Sequence, residues 1–329
     1  MTLTRVSASD IENKLNAAAL TWRTQLTKPY TDLATIGAAL GPDGEPLIVV
    51  KETGLAELRK KGDKEFTRPN GEVYVARALT VSGTRTTDVA FMQSAYKARM
   101  PVLLYGTPGT GKTALIEAAM PNVITVQGTV ETEAADFIGS WTQQPDGTYA
   151  WVDGPLPISM ETGVPLLIDE IALIDPRVMA VVYGVMDGRG ELVVTANPTR
   201  GVVKVSDGFC VFGACNPHVP GALMSDALLS RFQVHIEVTT DWGLADTLGV
   251  STKMINVCRN LGVKADRGEI LAAPQLREML GFTKLEKMYG TSFALQNFVA
   301  QVRETDRAIV QQIIQDVYEQ KVAALKIGS

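Results

Sequence analysis

From Pro101 onward, short apolar segments alternate with helical patterns along the chain. Five segments have the apolar runs typical of buried strands: residues 101–105, 122–127, 165–168, 210–214 and 233–238. Apolar strands that alternate with helices form parallel sheets covered on both faces, so this part predicts an α/β core. After Asp241 the pattern is helical only, and it ends in a long amphipathic stretch at 293–325. The sequence therefore predicts three parts: an α+β N-terminal extension of unknown role (1–85), an α/β domain (86–241) and a small all-α domain (242–329).

The N-terminal extension has weaker patterns than the rest of the chain. They predict, in chain order, a helix from a capping box at Ser9 and Glu12 to about Trp22, a strand at 46–50, a charged helix at 55–64 and a strand at 72–76. The α/β domain then opens with a helix that Thr87 and Asp88 cap and that runs to about Arg99. The segment 68–74 allows two interpretations. It is either a surface that distinguishes one partner from another or a plain extension packed on the α/β core.

Composition narrows the class of protein. With 46% hydrophobic and 20% charged residues among 329, the chain resembles a globular protein with a sizeable core. A net charge of −5 gives no overall attraction to nucleic acid or to an anionic membrane, although a local basic groove stays open. The N-terminus lacks the apolar segment of a signal peptide, and no stretch approaches the roughly 18 apolar residues of a spanning helix. We therefore expect a cytoplasmic protein with no membrane partner.

The sequence supplies few residues for a metal centre or a hydrolytic triad. It contains three cysteines without metal-ligand spacing and only two histidines. The odd cysteine count and the apolar neighbours are typical of buried thiols in a reducing compartment.

A glycine-rich loop follows the first predicted strand of the core. Residues 106–113 are GTPGTGKT, which matches the phosphate-loop pattern G-x-x-x-x-G-K-[ST], and a helical pattern follows at 112–119. The glycines let successive backbone N–H groups face a phosphate, Lys112 places an ammonium against the β- and γ-phosphate oxygens, and the Thr113 hydroxyl coordinates Mg²⁺. The sequence thus predicts ATP and Mg²⁺ as cofactors, with GTP left open. The predicted nucleotide-binding residues are Gly106, Thr107, Pro108, Gly109, Thr110, Gly111, Lys112, Thr113 and Ala114.

Polar residues end two later strands of the same predicted sheet. The segment PLLIDE ends in Asp169, which predicts a second Mg²⁺ ligand, and in Glu170, which predicts a base that polarises the attacking water. Acidic residues also end strands that merely precede a helix, but the order and spacing after Lys112 favour catalysis. The strand segment CVFGACNP ends in Asn216, whose amide either orients the same water or only begins an Asn-Pro turn.

Four segments together resemble a known family. In chain order they are GTPGTGKT, LLIDEIALIDPRVMAVVYGVMDGRGEL, GACNP and SDALLSRF. They resemble the MoxR and dynein-related (midasin-like) branch of the AAA+ ATPases over roughly residues 86–280. The resemblance implies a P-loop AAA+ core followed by a helical lid, and a homo-oligomeric ring, usually of six subunits. It also implies a protein client, often one with a von Willebrand A-type domain.

The resemblance also implies two arginine roles. Arg231 matches the arginine finger, which stabilises charge on the nucleotide of the neighbouring subunit. The alternative for this side chain is a local ion pair, for which Asp226 is a candidate partner. The family's second sensor arginine falls in the stretch 273–277, where Gln275 takes the expected position and Arg277 lies two residues further on, so either Arg277 substitutes or the role is absent.

Two insertions are typical of this branch. Residues 139–152 predict a hairpin whose aromatic residues, Trp141, Tyr149 and Trp151, either grip a polypeptide or hold the hairpin together by cross-strand packing. A second hairpin is predicted at 192–207. Between Glu170 and this hairpin, Asp175 and Pro176 predict the start of a helix that packs on the core through Val178, Val181, Val182 and Val185.

Three functions remain for this sequence. The leading hypothesis is an ATP-hydrolysing ring that remodels or activates a protein partner. A nucleic-acid motor or switch would need a basic surface, for which the only candidates are Arg59, Lys60, Lys61, Lys64 and Arg68. A scaffold that binds nucleotide with little turnover is the third, and Glu170, Asn216 and Arg231 argue against it.

Overall fold

The structure, a computed structural model, describes residues 65–81, 84–217 and 219–326. The predicted helix at 9–22, strand at 46–50 and charged helix at 55–64 lie outside the described residues. The described residues form two compact units: residues from 65 to 105 with 112–237, and residues 106–111 with 238–326. The sequence assigns residues 106–111 to the α/β domain, whereas by their contacts they group with the helical unit.

A five-stranded parallel sheet forms the centre of the first unit. Its strands are β5 (Val102–Tyr105), β6 (Ile124–Gln127), β9 (Leu166–Asp169), β12 (Val211–Cys215) and β13 (Val234–Glu237). Their order across the sheet is β13-β5-β12-β9-β6, and every neighbouring pair is parallel. The predicted parallel sheet is therefore confirmed.

Each of these strands begins one or two residues later than the sequence predicts. Pro101 and Pro165 show the reason at two of the starts. Proline has no N–H to donate to a strand ladder, so each contributes only its carbonyl oxygen, to Gln233 N (3.1 Å) and to Ile124 N (2.9 Å) respectively.

Helices flank the sheet. They are α1 (Asp88–Lys97), α2 (Lys112–Ala119), α3 (Ala134–Ile138), α4 (Pro155–Thr162), α5 (Pro176–Gly184) and α6 (Asp226–Arg231). The Thr87 side chain accepts a hydrogen bond from Ala90 N and caps α1 as predicted, and the helix ends two residues before Arg99. Asp175 likewise accepts from Arg177 N at the start of α5. Val182 and Val185 are buried while Val178 and Val181 pack against the same core, which confirms the predicted helix face.

Four antiparallel hairpins accompany the sheet among the described residues. They pair β1 (Glu65–Thr67) with β2 (Val73–Val75), β3 (Ala78–Val81) with β4 (Thr84–Thr87), β7 (Gly139–Gln143) with β8 (Tyr149–Asp153), and β10 (Glu191–Val193) with β11 (Val202–Lys204). The last two are the predicted insertions. In the first hairpin Arg68 forms an ion pair of 2.7 Å with Glu117 of α2, so the segment 68–74 contacts the α/β core.

The second unit is helical beyond its loop. Its helices are α7 (Trp242–Thr247), α8 (Thr252–Asp266), α9 (Leu276–Tyr289), α10 (Thr291–Gln301) and α11 (Arg307–Tyr318). Fully buried residues from four of these helices form its core: Met254, Val257, Cys258, Leu261, Met279, Ala294, Leu295, Val299 and Ile314. Across the described ranges, no helix is both long and apolar enough to cross a lipid bilayer.

The prediction of one long amphipathic stretch at 293–325 was wrong. The helix breaks after Gln301 and resumes at Arg307, and Glu319 ends it in a left-handed conformation. Tertiary contacts stabilise the break, because the Asp306 carboxylate accepts from Leu271 N at 3.1 Å and Arg307 Nε donates to Val302 O at 3.2 Å. Hydrophobic periodicity continues through the break, which is why the sequence pattern does not reveal it.

Candidate functional site

Three of the central strands end at one edge of the sheet. Because β5, β9 and β12 are parallel neighbours, their carboxyl ends lie together. Asp169 is the last residue of β9, and Asn216 follows the last residue of β12. The polar residues that the sequence predicts for catalysis are therefore gathered at one edge.

The two predicted Mg²⁺ ligands are in direct contact. The Thr113 hydroxyl, near the start of α2, donates to Asp169 Oδ2 at 2.7 Å. A hydroxyl and a carboxylate at this separation offer the oxygen ligands that Mg²⁺ prefers, so the site fits the cation. Lys112, one residue before Thr113, is buried with 6% of its surface exposed.

Glu170 has an unusual backbone conformation. Its φ of 50° and ψ of 38° lie in the left-handed region, which is uncommon for residues other than glycine. Residues with such backbone strain concentrate at functional sites. The next turn begins here, since Leu173 N donates to Glu170 O at 2.9 Å.

Gly128 packs against the backbone of Asp169 and Glu170, a contact that the sequence analysis did not predict. Its N–H donates to Asp169 O at 2.7 Å. A Cβ atom at position 128 would lie 2.8 Å from Glu170 O and 2.9 Å from Asp169 O, closer than real contacts allow. Only glycine fits here without a shift of Asp169 and Glu170. In the sequence, the one sign of this role was that a glycine directly follows a predicted strand.

Asn216 is buried at the end of β12, with 4% of its surface exposed. Its backbone oxygen accepts from Val219 N at 3.4 Å, so an Asn-Pro turn is present. The charged residues of the site also affect the pKa of the neighbouring Cys215. Burial raises the pKa of its thiol to about 11, with a lowering effect from Lys112 and raising effects from Glu170 and Asp169. All three cysteines are reduced and buried, as predicted.

The phosphate loop belongs to the second unit over residues 106–111. Gly106, Gly109 and Gly111 have φ values of 140°, 80° and 90°, which leave the loop curved in the way a phosphate cradle requires. Thr110 is buried and its hydroxyl donates to Thr107 O at 3.0 Å across the loop. The loop therefore fits a bound phosphate.

The start of α9 contacts this loop within the same unit. Arg277 N donates to Gly109 O at 3.3 Å, and a Cβ atom at Gly109 would lie 3.0 Å from Arg277 Cβ. The Gln275 side chain is engaged in a capping box with Glu278 and in a hydrogen bond with Thr240. Of the two candidates for a second sensor, Gln275 is thus committed to the helix cap, while Arg277 is exposed beside the loop.

Arg231 forms a local ion pair, as the alternative from the sequence holds, but its partner is Asp187 and not Asp226. Its Nε lies 2.7 Å from Asp187 Oδ1, and its Nη2 donates to Asp187 Oδ2 at 2.8 Å. Nε itself makes no hydrogen bond, because its N–H does not point at the carboxylate oxygen, so its contact with Asp187 is an ion pair only. Asp226 precedes Arg231 by five positions on α6, which places the two side chains about 140° apart around the helix.

The aromatic residues of the β7–β8 hairpin divide into two groups. Trp141 and Trp151 are cross-strand partners in an edge-to-face pair, with ring centres 5.8 Å apart. Trp141 Nε1 also donates to Ala196 O, in the loop of the β10–β11 hairpin, at 3.1 Å. Tyr149 is 64% exposed. Trp141, although 51% exposed, therefore pairs with Trp151 and connects the two hairpins, whereas Tyr149 has no such contact among those described.

Comparison with known families agrees with this geometry. The model of the AAA domain of the dynein-related subfamily matches residues 101–232, which contain the phosphate loop, the acidic pair, Asn216 and Arg231. Residues 101–232 are thus similar to a dynein-related AAA domain. The five-stranded parallel sheet and the helical C-terminal part are those of the AAA+ fold.

Several known proteins are similar to part of this chain. An uncharacterized protein of Staphylococcus haemolyticus is 36% identical over 143 residues, which are 40% of this chain and 53% of that protein. Midasin of Giardia intestinalis is 26% identical over 178 residues, which are 52% of this chain and 4% of midasin. Among solved structures, a RuvB mutant of Thermotoga maritima aligns at 17% identity and a TM-score of 0.41, covering 73% of this chain and 71% of that one. The match thus spans about half the length of the staphylococcal relative and a small part of midasin.

Proposed function

We propose that this chain is a Mg²⁺-dependent ATPase that acts as a ring of identical subunits and remodels or activates a protein partner. The observation that carries the proposal is the Thr113–Asp169 hydrogen bond of 2.7 Å, with Glu170 next to it, inside a dynein-related AAA domain. A hydroxyl, a Mg²⁺-binding carboxylate and a second carboxylate at one sheet edge are the parts that phosphoryl transfer to water requires.

Each residue has one task in this proposal. The loop 106–111, Lys112 and Ala114 bind the nucleotide phosphates. Thr113 and Asp169 hold Mg²⁺, which when bound neutralises charge on the β- and γ-phosphates. Glu170 accepts a proton from the attacking water, and Asn216 holds that water in line.

Arg231 completes the reaction from the neighbouring subunit. A guanidinium stabilises the charge that spreads over the γ-phosphoryl oxygens, and supplying it in trans raises the rate by about 10³–10⁵. Turnover then depends on the assembly of the ring, for which we propose six subunits. Arg277 contacts the phosphate loop through its backbone and is the better placed of the two second-sensor candidates.

The partner is proposed on the resemblance to MoxR-type ATPases. Such ATPases act on proteins, often on those with a von Willebrand A-type domain. The net charge of −5 gives no overall attraction to nucleic acid and so no support to a nucleic-acid motor. We therefore propose a protein client.

The test is ATP hydrolysis by the purified chain as a function of its concentration. We expect turnover to rise with oligomerisation, and Glu170→Gln and Arg231→Ala to abolish it while ATP still binds. The exposed residues Glu191 and Arg267 supply matched controls, Glu191→Gln and Arg267→Ala, which should hydrolyse as wild type does. GTP is assayed beside ATP because the sequence leaves the base open.

Three outcomes would contradict parts of the proposal. Binding of ATP without turnover at any concentration would favour the scaffold. Normal hydrolysis by Arg231→Ala would exclude the finger role. Turnover that DNA stimulates, with salt-dependent binding, would favour the nucleic-acid motor.

A further inference from the structure

Arg231 is held on several sides by residues of its own subunit. Asp187 contacts Nε and Nη2, Ser230 Oγ accepts from Nη1 at 3.0 Å, and the Tyr183 ring centre lies 5.5 Å from Cζ. The Arg231 side chain as a whole is still 30% exposed, although its Nε atom is buried. A long side chain at the end of a short helix is thus fixed in one orientation while part of it faces outward.

The contacts leave donors available for a further acceptor. Nη1 and Nη2 of an arginine carry four N–H groups between them. The hydrogen bonds to Asp187 and Ser230 use one on each nitrogen. One N–H on each of Nη1 and Nη2 therefore remains, and each can donate to a phosphoryl oxygen.

Asp187 comes from a different part of the unit than Arg231. It lies in the irregular turn Val185–Arg189 that follows α5, 44 residues before Arg231 in the chain. Tyr183 lies at the end of α5 itself. The end of α5 and the turn that follows it thus supply Tyr183 and Asp187, which contact the proposed finger.

We propose that Asp187 is a positioning residue for Arg231: its carboxylate, with the Tyr183 ring, presets the guanidinium for the γ-phosphate of the neighbouring subunit. The inference rests on the proposed function. A half-exposed ion pair contributes little to stability, so the contact is better explained by orientation than by folding. A displacement of about 1 Å in a reacting group costs up to about 10²-fold in rate, which sets the scale of the expected effect.

The test mixes two subunits of the full chain that are inactive alone. The acceptor carries Arg231→Ala and keeps Glu170, while the donor carries Glu170→Gln and keeps Arg231. Their mixture restores turnover because donor fingers serve acceptor sites. We expect Asp187→Asn in the donor to lower kcat of the mixture about tenfold with KM for ATP little changed, and Asp187→Glu to recover part of the loss.

Further arms separate positioning from a structural role. Asp187→Asn should cost at least fivefold more in the donor than in the acceptor, which has no arginine left to orient. Asp207→Asn in the donor is the matched control, because Asp207 is an exposed partner of Arg99 in an ion pair outside the site, and it should leave turnover unchanged. Thermal unfolding of each variant excludes loss of the fold as the cause.

The outcomes distinguish this inference from the proposed function. If the donor and acceptor without a change at Asp187 form mixed rings but have no turnover, Arg231 does not act in trans. The inference is then wrong as well. If the mixture is active and Asp187→Asn in the donor has no effect, only the inference falls. A rise in turnover would mean that Asp187 competes with phosphate for Arg231, and it too would overturn the proposal.

Discussion

At the scale of single residues, Gly128 sets how closely the loop after β6 approaches the acidic pair. We expect Gly128→Ala to lower kcat at least tenfold, because a Cβ atom at 2.8–2.9 Å from two carbonyl oxygens must displace Asp169 and Glu170. The overpacking should also cost about 1–3 kcal/mol of stability. Steady-state ATP hydrolysis and denaturant unfolding measure the two effects.

Gly184 is the matched control for this change. It lies at the end of α5, and a Cβ atom there meets nothing within 4 Å. Gly184→Ala should keep its activity and gain about 0.5–1 kcal/mol, since alanine favours a helix over glycine. Equal activity of the two variants would show that Gly128 does not position the acidic pair.

Residue-level prediction from sequence succeeded where a short pattern carries the chemistry. GTPGTGKT and LLIDE each place their key groups by local spacing, and Thr113 and Asp169 are in contact in the structure. Gly128 and Asp187 were missed because their importance depends on approaches between segments far apart in the chain. The Asp226 alternative failed for the same reason, since proximity in sequence favoured the wrong carboxylate for Arg231.

At the scale of elements, Trp141 connects the β7–β8 hairpin to the β10–β11 hairpin. We expect Trp141→Ala to lower the free energy of unfolding by about 1–3 kcal/mol, because it removes an aromatic pair with Trp151 and a hydrogen bond to Ala196 O. Tyr149→Ala, at a residue that is 64% exposed, should stay within about 0.5 kcal/mol of wild type. Chemical denaturation of both variants checks the contrast, and equal losses would mean that the hairpins are not held by this pair.

Elements with a strong internal pattern were the ones that sequence predicted well. The five apolar strands and the capped helices α1 and α5 follow from local composition. The break between α10 and α11 does not, because the contacts that stabilise it come from Leu271 and Asp306, which are 35 positions apart. Periodicity alone cannot report such a tertiary contact.

At the scale of the whole molecule, the phosphate loop depends on the helical unit for its surroundings. Residues 106–111 lie between two elements of the first unit in sequence, yet they group with residues 238 onward. We expect a chain that ends at Glu237 to keep its parallel sheet but to bind ATP at least tenfold more weakly, because Gly106 and Gly109 lose the packing of Val238 and Arg277. Circular dichroism and titration with ATP measure the two properties, and unchanged affinity would contradict the role assigned to the second unit.

The buried thiols have a practical consequence for the whole molecule. Burial raises the pKa of Cys210 and Cys258 to about 12 and that of Cys215 to about 11, so almost none of the reactive thiolate exists near neutral pH. A fluorescent maleimide should therefore not react with the native cysteines, but it should react with a cysteine introduced at an exposed position such as Tyr149. The native cysteines therefore need not be replaced before a label is placed on the β7–β8 hairpin. Movement of this hairpin during turnover can then be followed in single molecules.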